Sequence, residues 1–137
     1  RDAFADLGLA MRPEWTRFCR SNVEIARAAA TAILSLPDRP TALLATNEEV
    51  ALGALGAAGA LGLRIGPDVS IIAFDDAPWS GVFTPPLSVI SRPVAQLGAT
   101  AVELLLEKIG NAAARRAHSF TAELIARGSV TAPQTGP

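Results

Sequence analysis

The feature that most constrains the fold is an apolar run over residues 69–74 that stops abruptly at two carboxylates, Asp75 and Asp76. A run of this length predicts a buried strand. Strands without polar alternation are typical of parallel sheets, in which helices cover both faces. Similar short runs at residues 42–45 and 87–91 are separated by stretches with a helical pattern. This alternation predicts an α/β fold with a parallel sheet and helices on both faces.

Caps, glycines and prolines predict the remaining elements. Capping-box spacing, in which serine or threonine stands three residues before glutamate, opens two predicted helices over residues 21–36 and 46–61. A proline suits the first turn of a further helix over residues 93–109. Two weaker patterns predict short strands over residues 15–19 and 119–126.

Composition bounds the class of protein. Hydrophobic residues make up 50% of the 137-residue chain and charged residues 18%, which predicts one globular domain. The net charge is -1, so no nucleic-acid footprint is expected on this chain. A single cysteine excludes an internal disulfide and fits a reducing compartment. No apolar run is long enough to span a bilayer and no signal peptide is recognisable, so a cytoplasmic location without membrane contact is expected.

The signatures of common enzymes are missing from the sequence. The only histidine, His118, lies in a predicted linker, which disfavours a Ser-His-Asp or Cys-His site. No cluster of cysteine and histidine suits zinc, and no glycine-rich phosphate loop is present. We therefore expect no enzymatic activity, no metal and no cofactor.

Polar side chains follow three of the predicted strands. Ser21, Asn47 and Asp75 each stand within a polar cluster at the point where a strand ends. The carboxyl ends of parallel strands share one edge, where small molecules bind in open α/β sheets. Hydroxyl, amide and carboxylate groups suit a polyhydroxylated or heterocyclic ligand. The alternative is structural: Ser21 and Thr46 can be helix caps, Asn47 a turn residue and Asp75 the start of a loop.

One predicted helix has no polar side chain over residues 50–61. A helix of this kind must be buried on nearly every side. A sheet covers only one side, so a subunit interface is the favoured explanation, and burial within one chain is the alternative.

The chain resembles the effector-binding domain of the lactose-repressor/galactose-repressor family of bacterial transcription regulators. The resemblance rests on the order of several motifs: ALGAL, GLRIGPDVSIIAFDD, TPPLSVI and a pre-helix RP. It implies a fold similar to type I periplasmic binding proteins, with a ligand cleft between two lobes. Residues 1–86 would belong to the C-terminal lobe, 87–111 would supply a crossover strand and a helix of the N-terminal lobe, and 112–137 would form a linker, a return strand and a tail.

The resemblance also implies functional residues. The family's ligand-contacting positions fall on Asn47, Asp75 and Arg92, and a further pocket position, often aromatic, falls on Ser21. Arg92 has a second interpretation as a solvated surface charge. The family's dimer surface falls on three apolar residues, Leu52, Leu55 and Phe83.

These implications define the expected function. The chain would sense a small-molecule effector, of sugar or nucleoside type, in a regulator that binds operator DNA as a homodimer through a headpiece outside this sequence. The alternative is a periplasmic sugar-binding protein of a transporter. The family's first strand of the C-terminal lobe has no counterpart here, so we expect the neighbouring strand edges to pair with another chain, or the sheet to close up.

Overall fold

The computed structural model describes residues 2–113 and 115–133, without the side chain of Asp2. Its elements in chain order are α1 (Asp2–Asp6), a 3-10 turn (Pro13–Trp15), α2 (Val23–Leu34), β1 (Ala42–Ala45), α3 (Glu48–Ala60), β2 (Ser70–Phe74), β3 (Ser88–Ser91), α4 (Val94–Gly110) and β4 (Glu123–Ile125). Part of the predicted linker and tail, residues 114 and 134–137, lies outside the described residues.

The strands form one sheet in the order β1-β2-β3-β4. β1, β2 and β3 are parallel, as predicted from the alternation of strands and helices. β4 joins β3 in the antiparallel direction, which makes the sheet mixed. α3 packs against β1 and β2, and α2 packs against α3. No other described helix makes extensive contact with the sheet, whereas the sequence predicted helices on both faces.

The core lies between α3 and the parallel strands. Ile71, Val89 and Leu87 are fully buried there. Six of the thirteen residues of α3 are buried, although the helix has neighbours from one chain only. Gly53 explains the close approach of α2, because a Cβ atom at this position would lie 2.6 Å from the Cβ of Ala26. Burial within one chain therefore accounts for much of the apolar character of this helix.

Asparagines cap the two central helices, one residue later than the capping-box pattern predicts. The side chain of Asn22 accepts a hydrogen bond from the N–H of Ile25, and that of Asn47 accepts one from the N–H of Val50. The two hydroxyl residues, Ser21 and Thr46, precede these caps. The interpretation of Ser21 and Thr46 as caps is therefore wrong, and asparagine takes the role because its side chain is equally well suited to it.

The strand predicted at residues 15–19 is absent from the described structure. A 3-10 turn ends at Trp15, and residues 16–20 are irregular. An extended segment becomes a strand only when a neighbour pairs with its backbone groups, and β1 pairs only with β2 in the described chain. The expectation that the sheet closes up is therefore wrong for this chain, and β1 is an edge strand.

Residues 127–131, the C-terminal strap, bond to the amino ends of both β2 and β3 and tie these strands together. Ser129 is fully buried; its hydroxyl donates to the carbonyl of Ile71 and accepts from the N–H of Ser88. Its own backbone N–H donates to the carbonyl of Pro86, and its carbonyl accepts from the N–H of Ile71. The strap thus pairs buried polar groups that the strands alone leave open.

Candidate functional site

The predicted site residues lie at one edge of the sheet. β1 and β2 are parallel and in register, with Ala45 opposite Ala73, so Asn47 and Asp75 both stand two residues beyond this pair. β2 and β3 are in register with Phe74 opposite Ile90, so Arg92 follows β3 at the same edge. The carboxyl ends of three strands therefore present an amide, a carboxylate and a guanidinium on what we call the rim.

Asn47 connects the rim to the segment before α2. Its Oδ1 caps α3, and its Nδ2 donates a 2.8 Å hydrogen bond to the hydroxyl oxygen of Ser21. Both residues of this pair also precede a helix, where backbone N–H groups lack helical partners. Ser21 and Asn47, which are 26 residues apart in the chain, are thereby brought together as predicted.

Asp75 and Arg92 form the second pair on the rim. Arg92 donates through Nε to Oδ1 at 2.7 Å and through Nη2 to Oδ2 at 2.5 Å. Asp75 adopts a left-handed backbone conformation with φ 70°, which an aspartate tolerates better than most residues. The N–H of Asp75 donates to the carbonyl of Ile90, which fixes this turn against β3. The side chains keep access to solvent, with 32% of Asp75 and 50% of Arg92 exposed.

The charges of this pair stabilise each other. The hydrogen bonds from Arg92 lower the pKa of Asp75 below its usual value of 3.8, against the opposing effect of desolvation. The carboxylate in turn raises the pKa of Arg92. Both groups are therefore ionised over the physiological range. A carboxylate beside a guanidinium offers a ligand hydroxyl an acceptor and a donor at once.

A second bidentate ion pair lies directly beside the first. Arg127 of the C-terminal strap donates to both oxygens of Asp76, at 2.8 and 2.7 Å, and to the carbonyl of Leu87. These bonds lower the pKa of Asp76. Sequence reasoning missed Arg127 because it lies 51 residues from its partner.

Trp79 closes one side of the rim near α3. Its indole N–H donates a 2.5 Å hydrogen bond to Oε1 of Glu48. Trp79 and Phe83 are both half-buried and pack against the core. Both aromatic rings therefore contribute to packing against the core.

The residues predicted for a dimer surface are divided between the surface and the core. Leu52 is 37% exposed on α3, and Phe83 is half-buried, whereas Leu55 is only 5% exposed and belongs to the core cluster. Leu55 can therefore pack beneath such a surface, but its own side chain is not exposed in this chain.

Other chemistry is not evident in the described residues. Residues 2–113 and 115–133 contain no group of three or more histidine, cysteine, aspartate or glutamate side chains arranged to hold a metal ion. Over the same part of the chain, each helix falls short of the length and apolar character that crossing a bilayer requires.

These features define a class of protein: an open α/β domain whose polar groups lie at the carboxyl ends of its parallel strands. The profile of the "Periplasmic binding protein-like domain" family matches residues 1–130, so the chain belongs to that family. Among its relatives, the "HTH-type transcriptional repressor PurR" of Aliivibrio fischeri strain MJ11 is 38% identical over 131 residues, which cover 93% of this chain and 39% of the relative. The "Probable opine utilization operon repressor" of Rhizobium rhizogenes is 45% identical over 102 residues, which cover 73% and 52% respectively.

A solved structure agrees with these relatives. The putative transcriptional regulator LacI of Bacillus cereus subsp. cytotoxis superposes with a TM-score of 0.88 at 29% identity, over 93% of this chain and 46% of that chain. The resemblance to the lactose-repressor/galactose-repressor (LacI) family of regulators is thereby confirmed. The α/β, periplasmic-binding-protein-like fold class is confirmed as well. The two sequence relatives are repressors rather than enzymes, which agrees with the predicted lack of enzymatic activity. The chain spans 39% and 52% of the lengths of these curated relatives.

Proposed function

We propose that this chain is the effector-sensing part of a cytoplasmic transcriptional regulator, and that it binds a small molecule of sugar or nucleoside type. The observation that carries the proposal is the rim, where Ser21, Asn47, Asp75 and Arg92 lie at one edge of the sheet in two hydrogen-bonded pairs. Ring hydroxyls would accept from the Asn47 amide and the Arg92 guanidinium and donate to the Asp75 carboxylate. Operator DNA would be bound through a headpiece outside this sequence.

The ligand would lie in a cleft between two lobes. In this proposal residues 1–86 belong to the C-terminal lobe, 87–111 to the crossover strand and a helix of the N-terminal lobe, and 112–137 to the linker, return strand and tail. The exposure of α4 supports this division, because none of its seventeen residues is buried and five of its large apolar side chains are at least 57% exposed. A helix of this kind needs a second apolar surface.

The regulator would act as a homodimer. Leu52 on α3 and Val82 in the loop after β2 are 37% and 81% exposed, and half-buried Phe83 is the neighbour of Val82. Exposed apolar groups of this kind are typical of protein interfaces. Sedimentation of the full-length protein at micromolar concentration tests this part, and a monomer would contradict it.

A ligand screen followed by a substitution tests the rim. Pentoses, hexoses and nucleosides are first screened by thermal shift with the full-length protein, and hits are measured by calorimetry. A charge-assisted hydrogen bond contributes about 1.5–3 kcal/mol, so Asp75→Ala should weaken binding roughly tenfold or more.

A matched control separates the rim from general effects of charge. Asp68 also accepts hydrogen bonds from an arginine, Arg64, but it lies before β2 at the opposite end of that strand. Asp68→Ala should leave ligand affinity unchanged. Equal affinities of the Asp75→Ala variant and the parent protein would remove Asp75 from the site.

A further inference from the structure

The four polar residues of the rim form two separate halves. Ser21 and Asn47 are bonded to each other, and Asp75 and Arg92 are bonded to each other. Among the described residues, no hydrogen bond joins a member of one half to a member of the other. The pairing of β1 with β2 also ends two residues before Asn47 and Asp75. The spacing of the two halves is therefore not fixed by the rim residues themselves.

The hydrogen bond between Trp79 and Glu48 bridges this gap. Glu48 is the first residue of α3 and directly follows Asn47, whereas Trp79 lies four residues after Asp75 in the loop that follows β2. The indole N–H donates to Oε1 of Glu48 at 2.5 Å. Within the described part of the chain, no other hydrogen bond connects the start of α3 to this loop. The bridge therefore ties the segment that carries the first half of the rim to the loop that carries the second.

Both ends of this bridge are held in place. The ring of Trp79 is half-buried and packs against the core, and its carbonyl accepts hydrogen bonds from the N–H groups of Val82 and Phe83. Glu48 lies in the first turn of α3, where the helix dipole favours a negative charge. The carboxylate acceptor makes the bond charge-assisted, which strengthens it relative to a bond between neutral groups.

Packing alone does not explain the bridge. A phenylalanine ring at position 79 would also be apolar, so the indole adds chiefly its N–H group. A half-buried indole N–H normally finds a partner, and water can serve as that partner near an exposed surface. The carboxylate of Glu48 has one property that water lacks, because it belongs to a helix and ties two chain segments at a defined distance.

We infer that Trp79 and Glu48 are positioning residues, whose hydrogen bond holds the two halves of the rim at the spacing that one bridging ligand requires. The inference rests on the proposed function of the rim. Neighbouring strands lie about 4.8 Å apart, so the two halves are close enough for one small ligand to contact both. Without the bridge, each half keeps its own hydrogen bonds, but the two halves shift relative to each other. Binding then has to fix their spacing, which lowers the affinity.

Three substitutions separate the spacing of the bridge from its charge. Trp79→Phe keeps an aromatic ring and removes the N–H donor. Glu48→Asp keeps the charge and shortens the side chain by a methylene group, whereas Glu48→Gln keeps the length and an acceptor oxygen but removes the charge. The first two should break the bridge, and the third should preserve it. Glu24→Asp is the matched control, because Glu24 also lies in the first turn of a helix but bonds to Arg27 of that same helix.

Relaxation-dispersion NMR of the full 137-residue chain measures the loss of fixed spacing without a ligand. Trp79→Phe and Glu48→Asp should produce exchange on the μs–ms timescale at the backbone amides of both Asn47 and Asp75. The parent chain, Glu48→Gln and Glu24→Asp should show no such exchange. Parent-like profiles for Trp79→Phe and Glu48→Asp would overturn the inference. Equal exchange in Glu48→Gln and Glu48→Asp would overturn it too, because charge rather than spacing would then matter.

Calorimetry with the full-length protein measures the consequence for binding, with D-ribose, D-glucose and adenosine as probes. For a probe that the parent binds, Trp79→Phe and Glu48→Asp should each weaken the affinity about fivefold, the effect of one hydrogen bond. The double variant should be no weaker than either single variant, because both remove the same bond. Glu48→Gln and Glu24→Asp should change the affinity by less than about twofold.

The two measurements distinguish failure of the bridge from failure of the proposed function. If Asp75→Ala weakens binding of a probe but Trp79→Phe and Glu48→Asp do not, the bridge is overturned and the proposed function stands. If the bridge variants show the expected exchange but the parent protein binds none of the three probes, the bridge is supported as the element that fixes the rim, and the sugar or nucleoside class of ligand is contradicted.

Discussion

The two sides of strand β2 differ sharply in how their polar groups are paired. On the closed side, β3 and the C-terminal strap bond to β2, β4 lies beyond β3, and buried Ser129 bonds to both β2 and β3. On the open side, β1 has one neighbour and its outer groups face an apolar groove. β4, at the other end of the sheet, is also an edge strand, so the two sides differ chiefly in the buried hydrogen bonds of the strap.

The difference shows that apolar sequence alone does not complete a sheet. β1 and β2 are both apolar, but only β2 has backbone partners on both sides. The closed side obtains its extra partners from residues far along the chain. Bringing distant residues together costs loop-closure entropy, but this cost grows only slowly with loop length. Because these partners are buried, substitutions of them should lower the free energy of unfolding more than substitutions of exposed residues on the open side.

The largest expected contrast comes from truncating one leucine on each side. Leu87, on the closed side, is 0% exposed, so Leu87→Ala should lower the free energy of unfolding by about 2–5 kcal/mol. Leu44, on the open side, is 57% exposed, so Leu44→Ala should change it by only about 0.5 kcal/mol. Urea denaturation followed by circular dichroism measures both. Similar losses for the two variants would contradict the division of the sheet.

The next contrast removes a single hydroxyl from the C-terminal strap. Ser129→Ala leaves the buried N–H of Ser88 and the carbonyl of Ile71 without the partner that the hydroxyl provides. The expected loss is about 1–3 kcal/mol in the same urea measurement. Ser35→Ala, at an exposed serine after α2, should be close to neutral. A neutral Ser129→Ala would mean that the strap does not hold β2 to β3.

Local pattern predicted the elements of both sides but not their pairing. Apolar runs and capping signals located the helices and four of the five predicted strands, and the shared carboxyl edge of parallel strands located Asn47 and Asp75. The strand predicted at residues 15–19 failed because a strand depends on a neighbour, which is information that its own residues do not contain. Arg127 and Ser129 were missed for the same reason: their partners are 39 to 58 residues away.

Two arginine–aspartate pairs give a smaller contrast between the sides. Arg127 and Asp76 on the closed side are 21% and 28% exposed, and their hydrogen bonds are bidentate. Arg127→Gln should lower the free energy of unfolding by about 1 kcal/mol, since partly shielded charge-assisted bonds exceed surface pairs in strength. Arg12, in the N-terminal segment, pairs with Asp38 in the loop before β1 and is 48% exposed. Arg12→Gln should cost less than about 0.5 kcal/mol, and a larger loss than for Arg127→Gln would reverse the comparison.

The smallest effect is the pH dependence of the closed side. Arg127 lowers the pKa of Asp76 in the folded state, and the pKa in the unfolded chain is about 3.9. The pair therefore contributes its full stability above about pH 4, and the contribution is lost as the pH falls through the lowered pKa of the folded state. Urea midpoints between pH 7 and pH 3 should fall less steeply for Arg127→Gln than for the parent chain, because the variant has less of this contribution to lose. Arg12→Gln should keep the parental slope, because it leaves Asp76 and its partner intact. Parallel curves for the parent chain and Arg127→Gln would show that the ion pair between the strap and Asp76 does not contribute to stability.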